Sequence, residues 1–343
     1  MSSRDLLFGL AVAVGALAIA LVGLEGLTRV VFNRNGMHYG IEMWKYARQV
    51  KQRSAVAAMS HEHAPNRDAV LMGVPVRTNS LGLRDREYTS GKRAGVRRLL
   101  VLGDSVTFGW GTREAETYPK VLEQLLNRDG TPYEVVNAGV GNYNSSQEVA
   151  YFRERGRLLQ PDAVVLGYFI NDAEPTPSPN ENVLARHSYF YVLATGGWEA
   201  LMRQLGAKPT LDAYYAGLYD ERNPGWRASR EALTALSRLC RSEGVPLRVV
   251  IIPELHQPNS HYPFLRAHAL VRAVVEREGV PVLDLLEAFS GADPQSLWVS
   301  PGDAHPNARG HAIIANAIYQ AMRRDRHDVG AAGSVVTTGA HHD

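Results

Sequence analysis

The sequence predicts an α/β domain: a three-layer α/β/α sandwich in which helices cover both faces of a five-stranded parallel sheet. Two observations lead to this fold class. Short apolar runs alternate with helical stretches over residues 97–323, an order typical of parallel sheets. The runs are continuously apolar, which is typical of strands buried on both faces. With 343 residues, 45% of them hydrophobic, the chain is long enough to bury a large core.

Five strands and five helices alternate along this region. The predicted strands are Leu99–Leu102, "YEVVNAG" (133–139), "DAVVLGYF" (162–169), "LRVVIIP" (247–253) and "VPVLDLL" (280–286). The predicted helices are 118–127, 144–160, 228–243, 264–278 and 308–323. Ser145 and Glu148 have the spacing of a capping box, which predicts that the second helix begins beside Ser145.

The N-terminal segment predicts a membrane anchor over residues 1–32. Leu6–Leu24 is nineteen residues without a charge, about the length of a helix that crosses the hydrocarbon layer. A cleavable signal peptide is the alternative, because "AIA" at 18–20 resembles a cleavage box. The apolar run continues beyond that box, and we therefore favour an uncleaved anchor. Arg29 and Arg34 nominally place the body of the protein in the cytoplasm.

Composition argues against several partners and kinds of site. The 37 basic and 35 acidic residues give a net charge of +2 without a basic block, so nucleic acid is not an expected partner. Cys240 is the only cysteine, which rules out an internal disulfide and a thiolate metal cluster. His61 and His63 lack further ligands at metal-site spacing, and we interpret them as exposed linker residues. Arg84 is interpreted as a structural anchor, with a place in the active site as the alternative.

Polar residues at the strand ends point to a functional site. "LLVLGDSVTFGWG" (99–111) places Ser105 directly after the first strand, and ligands of open α/β sheets bind at the carboxyl ends of the strands. The flanking residues are not the G-x-S-x-G turn of the α/β-hydrolases, and the Lys-Ser/Thr of a phosphate-binding loop is missing. Alone, the triplet fits a turn and helix cap better than a catalytic serine.

Three further segments supply what a catalytic serine needs, namely a base, a group that orients the base, and donors for the oxyanion. "FIND" places Asn171 after the third strand, and "NAGVGNYN" (137–144) follows the second. "DAHPN" (303–307) carries Asp303 and His305 before the last helix. Strand ends of one parallel sheet share an edge, so we expect these segments to converge with Ser105.

Together the four blocks resemble the SGNH hydrolases, also called the GDSL esterase/lipase family, over about residues 97–323. The chain is similar to a membrane-anchored bacterial-type member. The resemblance implies the family's flavodoxin-like fold and a catalytic domain over residues 94–324. It also implies that Ser105 is the nucleophile, that His305 is the general base and that Asp303 orients it. No metal or organic cofactor is required.

The same resemblance implies an oxyanion hole made by the N–H of Ser105, a backbone N–H of the second block and the side-chain amide of Asn171. The family's commoner second block is "GVPGYN", and an ungapped alignment places its donor glycine at Asn142. Asn tolerates left-handed backbone angles, so both Gly141 and Asn142 are candidate donors. The family's D-x-x-H spacing is shortened here to D-x-H, as it is in SGNH-like alginate O-acetyltransferases.

The remaining segments are a stalk and extended lead-in (33–93), an insertion at about 173–226 and a disordered tail (325–343). The aromatic residues of the insertion suit a core, and a lid or acyl-chain wall is the alternative. The tail contains Gly, Ser and Thr without periodicity, a composition that does not form a packed core.

Three functions follow from the resemblance. The first is a serine esterase acting on acetyl or other acyl esters of carbohydrate or lipid at the membrane surface. The second is an O-acyltransferase that modifies a cell-surface polysaccharide beside a membrane-bound O-acyltransferase partner. The third is a non-catalytic glycan-binding member of the fold. Against the nominal charge signal, the resemblance favours an extracytoplasmic catalytic domain, periplasmic or at the cell surface.

Overall fold

A computed structural model describes residues 3–34, 37–89, 91–128, 130–176, 182–258 and 261–336, with side chains as far as residue 325. The helices of these residues are α1 (Ser3–Arg34), α2 (Tyr39–Gln49), α3 (Ser105–Phe108), α4 (Tyr118–Asn127), α5 (Ser145–Glu154), α6 (Val183–His187), α7 (Tyr189–Gln204), α8 (Leu211–Leu218), α9 (Pro224–Ser242), α10 (Leu265–Arg277) and α11 (Ala308–Val336). The strands are β1 (Lys51–Arg53), β2 (His61–His63), β3 (Asp68–Leu71), β4 (Val74–Arg77), β5 (Arg97–Gly103), β6 (Tyr133–Gly139), β7 (Ala163–Tyr168), β8 (Leu247–Ile251), β9 (Val282–Asp284), β10 (Trp298–Ser300) and β11 (Asp303–Pro306).

The chain divides into two compact units. One comprises Met1–Arg48 and Ser178–Thr210, and the other comprises Gln49–Pro177 and Leu211–Asp343. The domain boundaries drawn from the sequence stay predictions. The disordered tail predicted for residues 325–343 also stays a prediction. Helix α11 is described to Val336, and residues 337–343 lie outside the described part of the chain.

The second unit contains one parallel sheet with the strand order β6-β5-β7-β8-β9. This sheet, with helices on both faces, confirms the predicted fold class. In its register Gly103 of β5 pairs with Gly139 of β6 and with Gly167 of β7. The three strands that carry the predicted site segments therefore end at the same edge.

Alternate residues of β5 pack into two cores, one on each face of the sheet. Leu100 and Leu102 belong to the core that α5, α9 and α10 cover. Leu99 and Val101 belong to the core that α4 and α11 cover. All four side chains are at most 2% exposed. Burial of each such side chain contributes about 1.5–3 kcal/mol, which explains why the continuous apolar run forms a central strand.

A row of three glycines lets α3 approach the ends of these strands. A Cβ at Gly103 would lie 2.0 Å from Thr107 Oγ1, and one at Gly139 would lie 2.2 Å from the backbone nitrogen of Phe108. A Cβ at Gly167 would lie 2.5 Å from the hydroxyl of Tyr118 and 3.0 Å from Thr107 Oγ1. Such distances leave no room for a side chain, so glycines in this row let α3 and Tyr118 pack against the strand ends.

The lead-in segment forms two antiparallel hairpins, β1–β2 and β3–β4. Met59 and Leu83 from this segment are buried in the core that α5 covers. The interpretation of His63 as an exposed linker residue is wrong, since it is 4% exposed. Its strand pairs with β1, and its carbonyl oxygen packs against Gly82, where a Cβ would lie 2.6 Å away.

The start of α5 differs by one residue from the prediction. Asn144 keeps extended backbone angles and is the N-cap, with Gln147 completing the capping box. Ser145 is already helical, so Glu148 is not the capping glutamate. Its side chain instead lies on the buried face of the helix, and the residue is 1% exposed.

In the first unit, α1 is the one helix of the described residues that is long and apolar enough to cross a membrane. Near its end Glu25 accepts hydrogen bonds from Ser188 Oγ at 2.7 Å and from the N–H groups of Tyr189 and Phe190 at 3.1 and 3.0 Å. A carboxylate at a helix N-terminus satisfies its unpaired N–H groups. Part of the predicted insertion, α7, is thereby attached to α1.

Gly139→Ala tests the glycine row. We expect it to lower the free energy of unfolding by about 1–3 kcal/mol, the usual cost of overpacking, because the new Cβ meets backbone that cannot rotate away. Urea unfolding of the full chain in detergent, followed by circular dichroism, measures the effect. In the control Gly91→Ala, nothing lies within 4 Å of the new Cβ. Equal unfolding of the two variants would contradict the packing argument.

Candidate active site

The turn from β5 into α3 positions Ser105. Asp104 is the N-cap of α3, and its carboxylate accepts a hydrogen bond from the N–H of Val106 at 2.8 Å. A side-chain cap of this kind holds the first turn of a helix. Ser105 is the first residue of α3 and is 6% exposed. Its backbone therefore lies between the end of β5 and the capped first turn of the helix.

Arg84 holds the other end of α3. Its guanidinium is buried and donates hydrogen bonds to the carbonyl oxygens of Phe108 at 3.1 Å, Gly109 at 2.7 Å and Thr112 at 2.7 Å. The last carbonyl groups of a helix have no partner within it, and the fork of an Arg side chain can satisfy several of them. Arg84 is thus the structural anchor that the sequence suggests.

Ser105, His305 and Asp303 form a continuous hydrogen-bonded chain. Ser105 Oγ lies 2.9 Å from His305 Nε2, and His305 Nδ1 lies 2.5 Å from Asp303 Oδ1. An ionised carboxylate only accepts hydrogen bonds, so the imidazole carries its proton on Nδ1. His305 Nε2 is then left to accept the hydroxyl proton of Ser105. The structure brings together residues that are 200 positions apart in the sequence.

The shortened D-x-H spacing allows this contact because Asp303 and His305 both lie in β11. Residues two apart in a strand point to the same face, so the two side chains are neighbours. Asp303 Oδ1 also accepts a hydrogen bond from the backbone N–H of His305 at 3.1 Å. Asp303 Oδ2 accepts a second bond from the indole N–H of Trp110 at 2.8 Å. Burial raises the pKa of Asp303, but its hydrogen bonds and the nearby His305 outweigh burial and lower the pKa overall.

Two of the predicted oxyanion segments lie beside the serine turn. The N–H of Val140 donates to the carbonyl of Gly103 at 3.0 Å, which ties the second block to the end of β5. Beyond it Gly141 is buried, whereas Asn142 is exposed and has a left-handed φ of +64°. Asn171 follows β7, and its side chain hydrogen-bonds to Asp104. An amide nitrogen has two N–H groups, so this bond leaves one for a ligand.

A cluster of buried carboxyl groups lies behind the serine turn. Asp104, Glu148 and Asp172 are at most 1% exposed. Burial raises the pKa of each of them, and repulsion within the cluster raises the pKa of Glu148 and Asp172 further. Within the described part of the chain, both oxygens of Glu148 lack a hydrogen-bond partner. The described residues contain no group of three or more His, Cys, Asp or Glu side chains able to hold a metal ion.

Several contacts of the site have little or no signal in the sequence. Trp110 lies in "GWG" and gives no sign of its bond to Asp303. His61 and Lys51, from the hairpin β1–β2, contact Gly141 and Asn142. These residues are too far apart in the chain for any local sequence pattern to indicate the contact. Glu148 did have a signal, because it shares a helix face with buried apolar residues.

His311 is separate from the hydrogen-bonded chain. It is fully buried, and its Nδ1 accepts a hydrogen bond from the N–H of Tyr118 at 3.2 Å. Its ring stacks on that of Tyr118, with 6.0 Å between the centroids. It therefore joins α11 to α4.

Comparison with known proteins identifies the class. The family description "GDSL-like Lipase/Acylhydrolase family" matches residues 101–313. This is more than half of the chain, and the protein belongs to that family. It is an ester-hydrolysing enzyme, and the resemblance seen in the four sequence blocks is confirmed. A search of curated proteins found no match.

Several solved structures are similar to this chain. TesA is 18% identical, with 65% of this chain and 97% of that chain covered and a TM-score of 0.43. Axe2, an acetylxylan esterase from Geobacillus stearothermophilus, is 18% identical, with 65% and 93% covered and a TM-score of 0.44. A two-domain esterase active on acetylated mannans is 16% identical, with 67% and 50% covered and a TM-score of 0.44. The family assignment rests on the family match alone.

Trp110→Phe tests the bond to Asp303. A hydrogen bond to a charged group contributes about 1.5–3 kcal/mol, so we expect kcat to fall about 10-fold with little change in KM. Steady-state hydrolysis of p-nitrophenyl acetate measures both constants. Trp226→Phe is the matched control, since Trp226 is fully buried and its indole N–H has no partner among the described residues. Equal activity of the two variants would show that the Trp110 bond is irrelevant to catalysis.

Proposed function

We propose that this enzyme hydrolyses acyl esters, with acetyl or another short acyl group, by a covalent serine mechanism. Ser105 is the nucleophile, His305 the general base and Asp303 the carboxylate that orients it. The observation that carries the proposal is the chain of hydrogen bonds, 2.9 and 2.5 Å long, from Ser105 Oγ through His305 to Asp303. The distance of 2.9 Å between Ser105 Oγ and His305 Nε2 is that of a nucleophile within hydrogen-bonding reach of its general base.

The reaction proceeds in two halves. The proton of Ser105 Oγ passes to His305 Nε2 as Oγ bonds to the ester carbonyl carbon. The resulting oxyanion is stabilised by the N–H of Ser105, by that of Gly141 or Asn142, and by the Asn171 amide. The bond to the alcohol oxygen breaks as His305 donates its proton to that oxygen. Water then attacks the acyl-enzyme, with His305 again as base, and releases the acid and free Ser105.

O-acyl transfer to a polysaccharide hydroxyl is the second candidate function. It is favoured by the spacing of Asp303 and His305, which is similar to that of SGNH-like alginate O-acetyltransferases. The chemistry up to the acyl-enzyme is the same, and only the acceptor differs. A membrane-bound O-acyltransferase would supply the acyl group in that case.

We also propose that α1 is a single-pass anchor that holds the catalytic domain at the outer side of the membrane, facing carbohydrate or lipid esters. Support comes from the apolar and exposed residues 6–24 and from the continuity of α1 through the "AIA" box. Glu25 and Arg29, beyond that box, contact residues 187–190, so the end of this helix has a structural role.

A serine-directed fluorophosphonate probe tests the proposed mechanism. We expect the wild type to be labelled and to hydrolyse p-nitrophenyl acetate, and Ser105→Ala to lose the label and at least about 1000-fold in kcat. Ser237→Ala is the matched control, because this buried serine bonds only to the Leu233 carbonyl of its own helix in the described contacts. Unlabelled but folded wild type would contradict the mechanism.

A second experiment distinguishes the two candidate functions. With an acetylated donor and a glycan acceptor, acetylated glycan would identify a transferase, and free acetate would identify a hydrolase.

The anchor has its own test. We expect intact-protein mass spectrometry of the membrane fraction to show residues 1–20 still attached, and carbonate washing at high pH to leave the protein in the membrane. These outcomes follow from the cost of removing an apolar span from lipid. A mature protein that begins after residue 20 would establish a cleaved signal sequence instead.

A further inference from the structure

The loop that follows β6 is held by a hairpin from a distant part of the chain. His61 Nε2, in β2, lies 3.1 Å from the carbonyl oxygen of Gly141. Lys51 Nζ, in β1, donates to Asn142 Oδ1 at 2.9 Å. The hydroxyl of Tyr143 donates back to the His61 carbonyl at 2.7 Å, and the two rings lie 5.1 Å apart. Three consecutive residues of the loop are therefore each in contact with the hairpin.

The contact with Gly141 determines the direction of the next N–H group. A carbonyl oxygen only accepts, so His61 carries a proton on Nε2 and donates it. The carbonyl of Gly141 and the N–H of Asn142 belong to one planar peptide unit. This peptide is trans, so the two groups point in opposite directions. While His61 holds the oxygen, the N–H of Asn142 points away from the hairpin.

The contact with Asn142 supports the conformation of that residue. Its φ of +64° is left-handed, a conformation that residues other than glycine adopt at a cost. Gly141 does not have a positive φ. The hydrogen bond from Lys51 holds the Asn142 side chain on the hairpin side, and together the two contacts leave the peptide little freedom to flip.

The two donors of the hairpin persist near neutral pH. Burial lowers the pKa of Lys51 to about 7, but a lysine amino group keeps N–H donors with or without its charge. Burial lowers the pKa of His61 to about 3, and the positive charge of Lys51 contributes to the shift. His61 is therefore neutral and retains one ring N–H. The ring of Tyr143 packs edge-on against the ring of His61.

We propose that His61 and Lys51 are positioning residues that hold the N–H of Asn142, rather than that of Gly141, as the second backbone donor of the oxyanion hole. This inference rests on the proposed serine mechanism. It assigns a catalytic consequence to the hairpin β1–β2, which lies outside the family match at residues 101–313. Neither residue touches the substrate, and both act through the backbone of the loop.

Variants of His61 test the proposal. Loss of a whole oxyanion donor costs about 100- to 1000-fold in kcat, so a donor that is merely released in His61→Leu should cost about 10- to 100-fold. KM should change less than about 3-fold, because the oxyanion forms only after the substrate binds. His61→Gln places an amide N–H at a similar reach and should restore kcat to within about 3-fold of the wild type. The measurement is steady-state hydrolysis of p-nitrophenyl acetate by the full chain in detergent.

Lys51→Met should lower kcat about 3- to 10-fold, because it removes the bond to the side chain and not the bond to the peptide. Lys51→Arg, which retains a donor, should restore most of that loss. Gln52→Leu is the matched control. It is in the same hairpin and loses a bond to Glu62 instead of to the loop, so kcat should not change.

Two results would overturn the inference. One is a folded His61→Leu enzyme with wild-type kcat, and the other is a His61→Gln enzyme as slow as His61→Leu. Thermal unfolding of each variant establishes that it is folded. Fluorophosphonate labelling of the wild type separates this test from that of the mechanism. An unlabelled wild type overturns the serine mechanism, whereas a labelled wild type with a fully active His61→Leu variant overturns only the role of the hairpin.

Discussion

The close approach of α3 to three strand ends determines where the serine lies. Thr107, on this four-residue helix, lies over Gly103, Gly139 and Gly167, which share one row of the sheet register. A side chain at Gly103 or Gly139 would push α3 away from the edge, and one at Gly167 would meet the hydroxyl of Tyr118 first. The position of Ser105 therefore follows from backbone packing, which is stiffer than contacts between long side chains. His305, in β11, contacts Ser105 although it lies 200 residues later in the chain.

The buried carboxyl groups behind the serine have an energetic cost that the rest of the domain must offset. A charge that is removed from water without a partner is unstable, and the group then binds a proton instead. The raised pKa values of Glu148 and Asp172 reflect this response. Burial also raises the pKa of Asp104, but this residue caps α3 and accepts hydrogen bonds from the N–H of Val106 and from the Asn171 side chain. Its carboxylate thereby connects the serine turn with the segment that follows β7.

Local patterns were sufficient to predict the central architecture. The strand at 133–139 and the helix at 118–127 have the predicted bounds, because continuous apolar runs and helical periodicity both reflect burial. Ser105, His305 and Asp303 could be predicted as a site because they lie in two short blocks that resemble those of the family, and the structure joins their side chains by hydrogen bonds. The pairing of His61 with Gly141 and of Lys51 with Asn142 was not predictable. It depends on how a hairpin 80 to 91 residues earlier folds against the loop, and single-chain patterns carry no such long-range information.

A crystal structure of the enzyme after reaction with an alkyl phosphonate would show which groups hold the oxyanion, because a phosphonyl group mimics the tetrahedral intermediate. We expect a bond from phosphorus to Ser105 Oγ. We also expect a phosphonyl oxygen within hydrogen-bonding distance of the Ser105 N–H, the Asn142 N–H and the Asn171 amide. Phosphorus bound to another residue, or an oxygen directed away from these groups, would contradict these expectations.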